Sequence, residues 1–298
     1  MKIELSGRFK IEAIRPDGSK RVLADWFPNL ILDAGLNRIG SGGFMSYCMV
    51  GGSSSAALVG QTALVTPVAN TNDELTYSVG TELGPGYCYI RRTYRFAAGV
   101  AAGNLSEVGV GWTGSACFSR ALIVDGGGTP TTITVLSDEI LDVTYEFRRY
   151  WPAGDGTATL TVNAVDYDVV WRASSVGSWE VGMSRFVANG SNDISTFLFG
   201  VRSYTGGIPA NLGAITVDPG MTAGGDGSLG YGAAYVNNSY ERNYVGSFSP
   251  AQMTSTITAV RVNAVCGNFK CSLDPAIPKD NTNTFSLSFK YTWARKVI

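Results

Sequence analysis

No histidine occurs anywhere in the 298 residues. That removes the commonest general base and the commonest metal ligand together. A serine or cysteine nucleophile activated by an imidazole is excluded outright. Charge is scarce too: Asp, Glu, Lys and Arg make up 16% of the chain, against about 25% in ordinary soluble domains. The formal net charge is −1, and no run of Lys or Arg exceeds a pair such as Arg91-Arg92 or Arg148-Arg149. A duplex would need many phosphate contacts, so no nucleic-acid partner is expected.

The five cysteines, Cys48, Cys88, Cys117, Cys266 and Cys271, are odd in number and none are spaced C-x-x-C. Cys266 and Cys271 flank Gly267-Asn268 and could face each other across a hairpin. The simpler reading is free, mostly buried thiols in a chain made in a reducing cytosol. The spacings do not supply four zinc ligands, and no cofactor or metal site is expected. Met1-Lys2-Ile3-Glu4-Leu5 has no apolar core behind its charge, so it does not read as a signal peptide. No apolar run is long enough to span a bilayer, so the chain is expected to be soluble, with no membrane insertion.

Motifs for catalysis are missing. There is no Gly-x-Ser-x-Gly elbow and no Gly-x-x-x-x-Gly-Lys phosphate loop. Paired carboxylates could still support glycoside hydrolysis. The candidates are Asp138-Glu139, Asp142 with Glu146, and Asp17 with Asp25. Asp142 and Glu146 sit four apart on one strand, which separates them by ~13 Å. These acids are therefore read as solvated strand-face groups, and no catalytic residue is assigned.

What is present is apolar residue enough, 45%, for a sizeable core. The length suits about two domains. Ile3, Leu5, Phe9 and Ile11 partly alternate, Pro16-Asp17-Gly18-Ser19 makes a turn, and Arg21-Val22-Leu23-Ala24 returns, so a β-hairpin opens the chain. Residues 29–39 are the best helix candidate of the first half, interrupted by Gly35. A strand is expected over 44–50, then a long loop to 70. Strands follow over 87–96, 105–112, 116–124, 131–136 and 140–150. In the last, Leu141, Val143, Tyr145 and Phe147 alternate with Asp142, Thr144, Glu146 and Arg148, with one face buried and the other wet or against a partner. Trp151-Pro152-Ala153-Gly154-Asp155-Gly156 reads as a linker. A second hairpin joins 157–162 to 168–172 through Asn163-Ala164-Val165. A Gly-rich middle covers 206–232, punctuated by Pro219-Gly220 and Gly224-Gly225-Asp226-Gly227, and strands close the chain at 239–245, 257–262, 269–273 and 284–293.

The two halves end alike. Arg92-Thr93-Tyr94 matches Arg242-Asn243-Tyr244, and Val108-Gly109-Val110 matches Val260-Arg261-Val262. Phe118 to Leu122 matches Phe269 to Leu273. Leu141, Val143, Tyr145 and Phe147 match Leu287, Phe289, Tyr291 and Trp293. A duplicated β-domain explains this. The expected fold is all-β: two tandem, duplicated β-sandwich-like domains, 1–151 and 152–298, with at most short helices. Tyr145, Phe147, Tyr150, Trp151, Tyr291 and Trp293 read as core or interface. Tyr231, Tyr235, Asn237, Asn238 and Tyr240 form a Tyr- and Asn-rich stretch suited to adaptable contacts, and are the candidate interface.

Asn29-Leu30-Ile31-Leu32-Asp33-Ala34-Gly35-Leu36 resembles an N-L-I-t-d-a-G-L segment of tailed-bacteriophage tail and fibre-associated proteins. There it is followed by a Val-Gly stretch and a Thr-Ala-Leu, as in Met49-Val50-Gly51-Gly52 and Thr62-Ala63-Leu64 here. Arg91 to Phe96, Leu105-Ser106-Glu107-Val108-Gly109, Phe118-Ser119-Arg120-Ala121 and Ile140 to Phe147 continue the likeness, as does Pro275 to Thr282. Each motif is short, but together they cover most of the chain. The resemblance implies a non-enzymatic virion structural protein of the tail, baseplate or fibre-attachment region, made in the host cytoplasm. Other virion proteins and further copies of itself would be its partners. A capsid decoration protein, or a module binding host surface polysaccharide, are the alternative readings.

Overall fold

The computed structural model describes residues 2–41, 45–82, 86–150, 152, 154–174, 198–204, 223–231, 233–252, 256–264 and 267–296. Phe44, Trp151, Ala153, residues 206–222 with Pro219-Gly220, Gly232 and Cys266 lie outside the described residues. The fold is all-β, with one short helix among the described residues.

The chain opens with the expected hairpin, β1 (Lys2–Ile14) and β2 (Lys20–Pro28). Gly18 takes a φ of 82°, a conformation glycine adopts without steric cost. The Asp17 carboxylate accepts the Ser19 N–H at 2.8 Å and fixes the turn. Helix α1 (Asp33–Ser41) starts later than its sequence pattern suggests, because β3 (Leu30–Ile31) pairs with β10 (Cys117–Leu122). Gly35 does not interrupt the helix. A Cβ there would sit 2.2 Å from the Phe118 carbonyl oxygen, so glycine is what lets α1 lie against β10.

One layer of the first half is built on β12 (Ile140–Tyr150). It is antiparallel to β1 on one side and to β7 (Tyr87–Phe96) on the other, and β6 (Glu74–Glu82) follows β7. The second layer runs β3, β10, β9 (Glu107–Gly111), β4 (Tyr47–Gly51), β5 (Pro67–Thr71). A small ribbon pairs β8 (Gly103–Leu105) with β11 (Ile133–Val135). Alternation sends Leu141, Val143, Tyr145 and Phe147 inward, where all four are buried. They meet Val108, Val110 and Phe118 of the other layer in one core. Phe118 stands edge-on to Phe147 with ring centroids 5.5 Å apart, a favoured aromatic geometry.

The second hairpin joins β13 (Gly156–Val162) to β14 (Val165–Ser174). Asn163 and Ala164 have φ of 50° and 61°, the left-handed pair that a tight two-residue hairpin needs. The remaining strands are β15 (Leu198–Tyr204), β16 (Ala223–Tyr231), β17 (Glu241–Phe248), β18 (Ile257–Ala264), β19 (Gly267–Ile277) and β20 (Phe285–Arg295). Their pairing repeats that of the first half. The order β3-β10-β9-β4-β5 recurs as β14-β19-β18-β15-β16, and β6-β7-β12 recurs as β16-β17-β20. Arg92 lies opposite Tyr145, as Arg242 lies opposite Tyr291. β16 serves for both β5 and β6, pairing with β15 near its start and with β17 over Ser228 to Tyr231. Phe269 stands edge-on to Tyr291 at 5.4 Å, within the same continuous core as Phe118 and Phe147. β1 joins the halves: Lys2 to Leu5 run parallel to Thr292 to Arg295 while the opposite edge of β1 pairs with β12.

The strands β5, β6, β15 and β16 fall where the sequence suggests loops or nothing regular. Gly224, Gly225 and Gly227 lie inside β16, a composition that weakens a strand. Two flanking strands satisfy its backbone and compensate.

Beside β12, the Arg21 guanidinium makes a two-bond contact with Glu139, at 2.9 and 2.7 Å, and the Leu136 N–H donates to the same carboxylate. The Arg21 hydrogen bonds, with the Leu136 N–H behind them, hold the Glu139 carboxyl at about 2. A carboxylate with a lowered folded pKa contributes stability above its unfolded value, ~4.3, and loses it as pH falls toward the folded one. Glu139→Gln is therefore expected to be less stable than the native chain at neutral pH, with the gap closing between about pH 5 and pH 2. Urea midpoints across that range test it, and a gap independent of pH contradicts it.

Candidate functional site

The best-built polar constellation holds a loop. Residues 52–66, between β4 and β5, form neither helix nor strand. Beneath them, Arg120 of β10 and Glu107 of β9 form an ion pair with both side chains fully buried. Arg120 Nε donates to Glu107 at 2.7 Å, Nη1 to the Gln61 side-chain carbonyl at 2.9 Å, and Nη2 to the Ser55 carbonyl at 2.7 Å. Glu107 also accepts the backbone N–H groups of Ser53, Val65 and Thr66. Gln61 closes the tip by accepting the Leu58 N–H, and Val59 accepts the Asp33 N–H that opens α1.

A buried ion pair adds little net stability, because desolvation offsets the attraction. Here it fixes the path of an irregular segment. The fixed tip points apolar groups outward: Leu58 is 64% exposed and Val59 45%, with Val65 and Val68 exposed nearby. A rigid apolar projection loses little conformational entropy on docking.

A second constellation lies on the outer face of the β1-β12-β7 layer. Glu146, 1% exposed, takes three guanidiniums. Arg8 grips it with two bonds at 2.9 and 3.1 Å, Arg91 reaches one oxygen at 2.5 Å, and Arg148 reaches the other at 2.7 Å. Arg8 and Arg91 lie directly opposite Glu146 on the two neighbouring strands. Trp26 backs Arg8 at 4.3 Å and Arg91 at 5.2 Å, and Tyr87 backs Arg148 at 4.5 Å. Burial pushes the Glu146 carboxyl up, but the three arginines outweigh it and hold it below the usual range.

The expectation that Asp142 and Glu146 are solvated is overturned. Both are buried, Asp142 in a two-bond pair with Arg95. Long basic side chains from the flanking strands lie across this face and exclude water. Glu139 is likewise buried, and Asp17 serves its turn. Cys48, Cys117 and Cys271 are free and buried, as expected, and Cys88 is buried as well. Burial pushes the thiols of Cys117 and Cys271 up to about 12, which leaves them unreactive at neutral pH.

The predicted interface residues divide. Tyr235 is half-buried, stacks on Trp293 at 5.8 Å, and donates to the Asn37 side chain at 2.8 Å. Asn238 exchanges hydrogen bonds with the same Asn37 side chain. These two bind the loop before β17 to helix α1 of the other half. Tyr240 is half-buried, Asn237 is exposed, and Tyr231 lies in β16.

Neither constellation was assigned from the sequence. Glu107 and Arg120 carried a signal, a lone charge inside an apolar strand. The arginine face carried none, because it depends on register across three strands. Compared with known proteins, the chain matches no family model, no curated protein and no solved structure.

Proposed function

We propose that the chain is a non-enzymatic structural component of a bacteriophage virion, in the tail, baseplate or fibre-attachment region, assembling through protein–protein contacts. The clamped loop is the observation that carries this reading: a fully buried ion pair holds a segment whose tip is apolar and exposed. That arrangement serves docking and offers no acid, base or nucleophile. The other well-placed acids, Glu139, Asp142 and Glu146, are likewise committed to arginines.

The recurring strand order supports a duplicated pair of sandwich domains, 1–151 and 152–298, a scaffold with two related faces. The phage-like Asn29 to Leu36 segment supports the virion setting, since its Leu30, Ile31 and Gly35 place α1 against β10. A polysaccharide platform has less support: the Trp26 ring already carries two guanidiniums. Mass spectrometry of gradient-purified phage particles should find the chain at a fixed ratio to other structural proteins. Its absence from intact particles contradicts the reading.

A further inference from the structure

We propose that copies of the chain associate head to tail, with the Arg8–Arg91–Arg148 face of one seated on an Asp166–Asp168–Asp274 face of the next. The inference rests on the assembly reading and names a partner for it, a second copy. The two faces lie toward opposite ends of one sheet, whose order runs β13-β14-β19-β18-β15-β16-β17-β20-β1-β12-β7-β6.

At the β1-β12-β7 end, three guanidiniums surround one carboxylate, an excess of two positive charges. The next charges along this face are matched, Lys10 with Glu12 and Arg95 with Asp142. Arg8 and Arg91 each spend Nε and one terminal nitrogen on Glu146, and Arg148 spends its Nε. Arg148 also bonds the Tyr150 side chain, while Arg8 and Arg91 each keep one terminal nitrogen that can reach an outside acceptor, and all three side chains are partly exposed. The rings behind them hold the forks in place.

At the β13-β14-β19 end the sign reverses. Asp168 of β14 lies directly opposite Asp274 of β19, and Asp166 follows two residues along the same face. Tyr167 and Leu273 point the other way into the core, so the three aspartates face outward, and all are exposed. Like charges directly opposite on neighbouring strands destabilise a sheet. Among the described residues no cation pairs with any of the three, and the nearby Arg172 is held by Asp155. No group of three or more acidic or cysteine side chains among the described residues could hold a metal ion. A set of guanidiniums from another copy supplies what this face lacks. Because the two surfaces differ, the contact is heterologous and propagates into a ring or a filament.

Light scattering on the purified full chain tests this. Association is expected in about 50 mM salt and should fall away by about 500 mM, as screening shortens the reach of the charges. Asp168→Asn with Asp274→Asn in one variant, and Arg148→Gln in another, should each weaken association by about ten-fold or more. Mixed together they should form a one-to-one dimer and nothing larger, since each keeps one intact face. A native chain that stays monomeric in low salt at high concentration overturns the proposal. So does a mixture that forms no dimer. The aspartate variant changes exposed groups only, so if it assembles like the native chain the proposal fails, whether or not Arg148→Gln folds. A monomer that still enters particles sinks this contact and leaves the assembly reading standing. A chain that associates as described but is missing from particles does the reverse.

Discussion

Glu107→Ala is expected to lower the unfolding free energy by about 3–5 kcal/mol, the loss typical when one partner of a buried ion pair is removed. Arg120 would be left as an uncompensated charge with no exposed surface. The N–H groups of Ser53, Val65 and Thr66 would lose their acceptor as well. The double variant Glu107→Leu with Arg120→Met separates the two roles of the pair. Apolar replacement of both partners removes the stranded charge and should recover part of the stability, while the 52–66 loop, stripped of its anchor, becomes a site of rapid proteolysis. Urea denaturation and limited digestion read the two effects independently. A loss below about 1 kcal/mol for the single variant would mean the pair behaves as a solvated one, contrary to the buried geometry.

Trp293→Ala is expected to cost about 3–5 kcal/mol, the range for truncating a buried large aromatic. Trp293 is 3% exposed, stacks on Tyr235, and donates its indole N–H to the Leu36 carbonyl at 2.9 Å. It therefore ties β20 to helix α1, beside the Asn37 contacts of Tyr235 and Asn238. Amide hydrogen exchange in α1 and in residues 233–240 should quicken in the variant well beyond its effect on β7 and β12. Trp293→Phe should keep most of the packing and lose about 1 kcal/mol with the hydrogen bond. Unchanged exchange in α1 would show that the two halves are held together some other way.

How far the fold could be read depended on whether a segment carries its own instructions. β12 and β7 were legible to the residue, because alternation and bulky β-formers mark both, and the Pro16–Ser19 turn named its hairpin. Helix α1 was misplaced at its start because Leu30 and Ile31 obey a pairing partner far along the chain. β16 was hidden by its glycines, and β6 lacks a run of apolar residues. The arginine face could not be seen at all. Arg8, Arg91 and Arg148 are scattered in sequence and become a site only when register lays two of them across from Glu146. For the same reason Asp142 and Glu146 read as wet when they are covered. The Tyr- and Asn-rich stretch was read for its composition, and three of its members, Tyr235, Asn238 and Tyr240, make contacts within the chain.

The proposed place of the chain, in the tail of a virion, can be seen by electron microscopy of purified phage particles labelled with a gold-conjugated antibody to the chain. A few gold particles per virion, confined to the tail or its tip, are expected. Unlabelled particles, or an even shell of label over the heads, would contradict it.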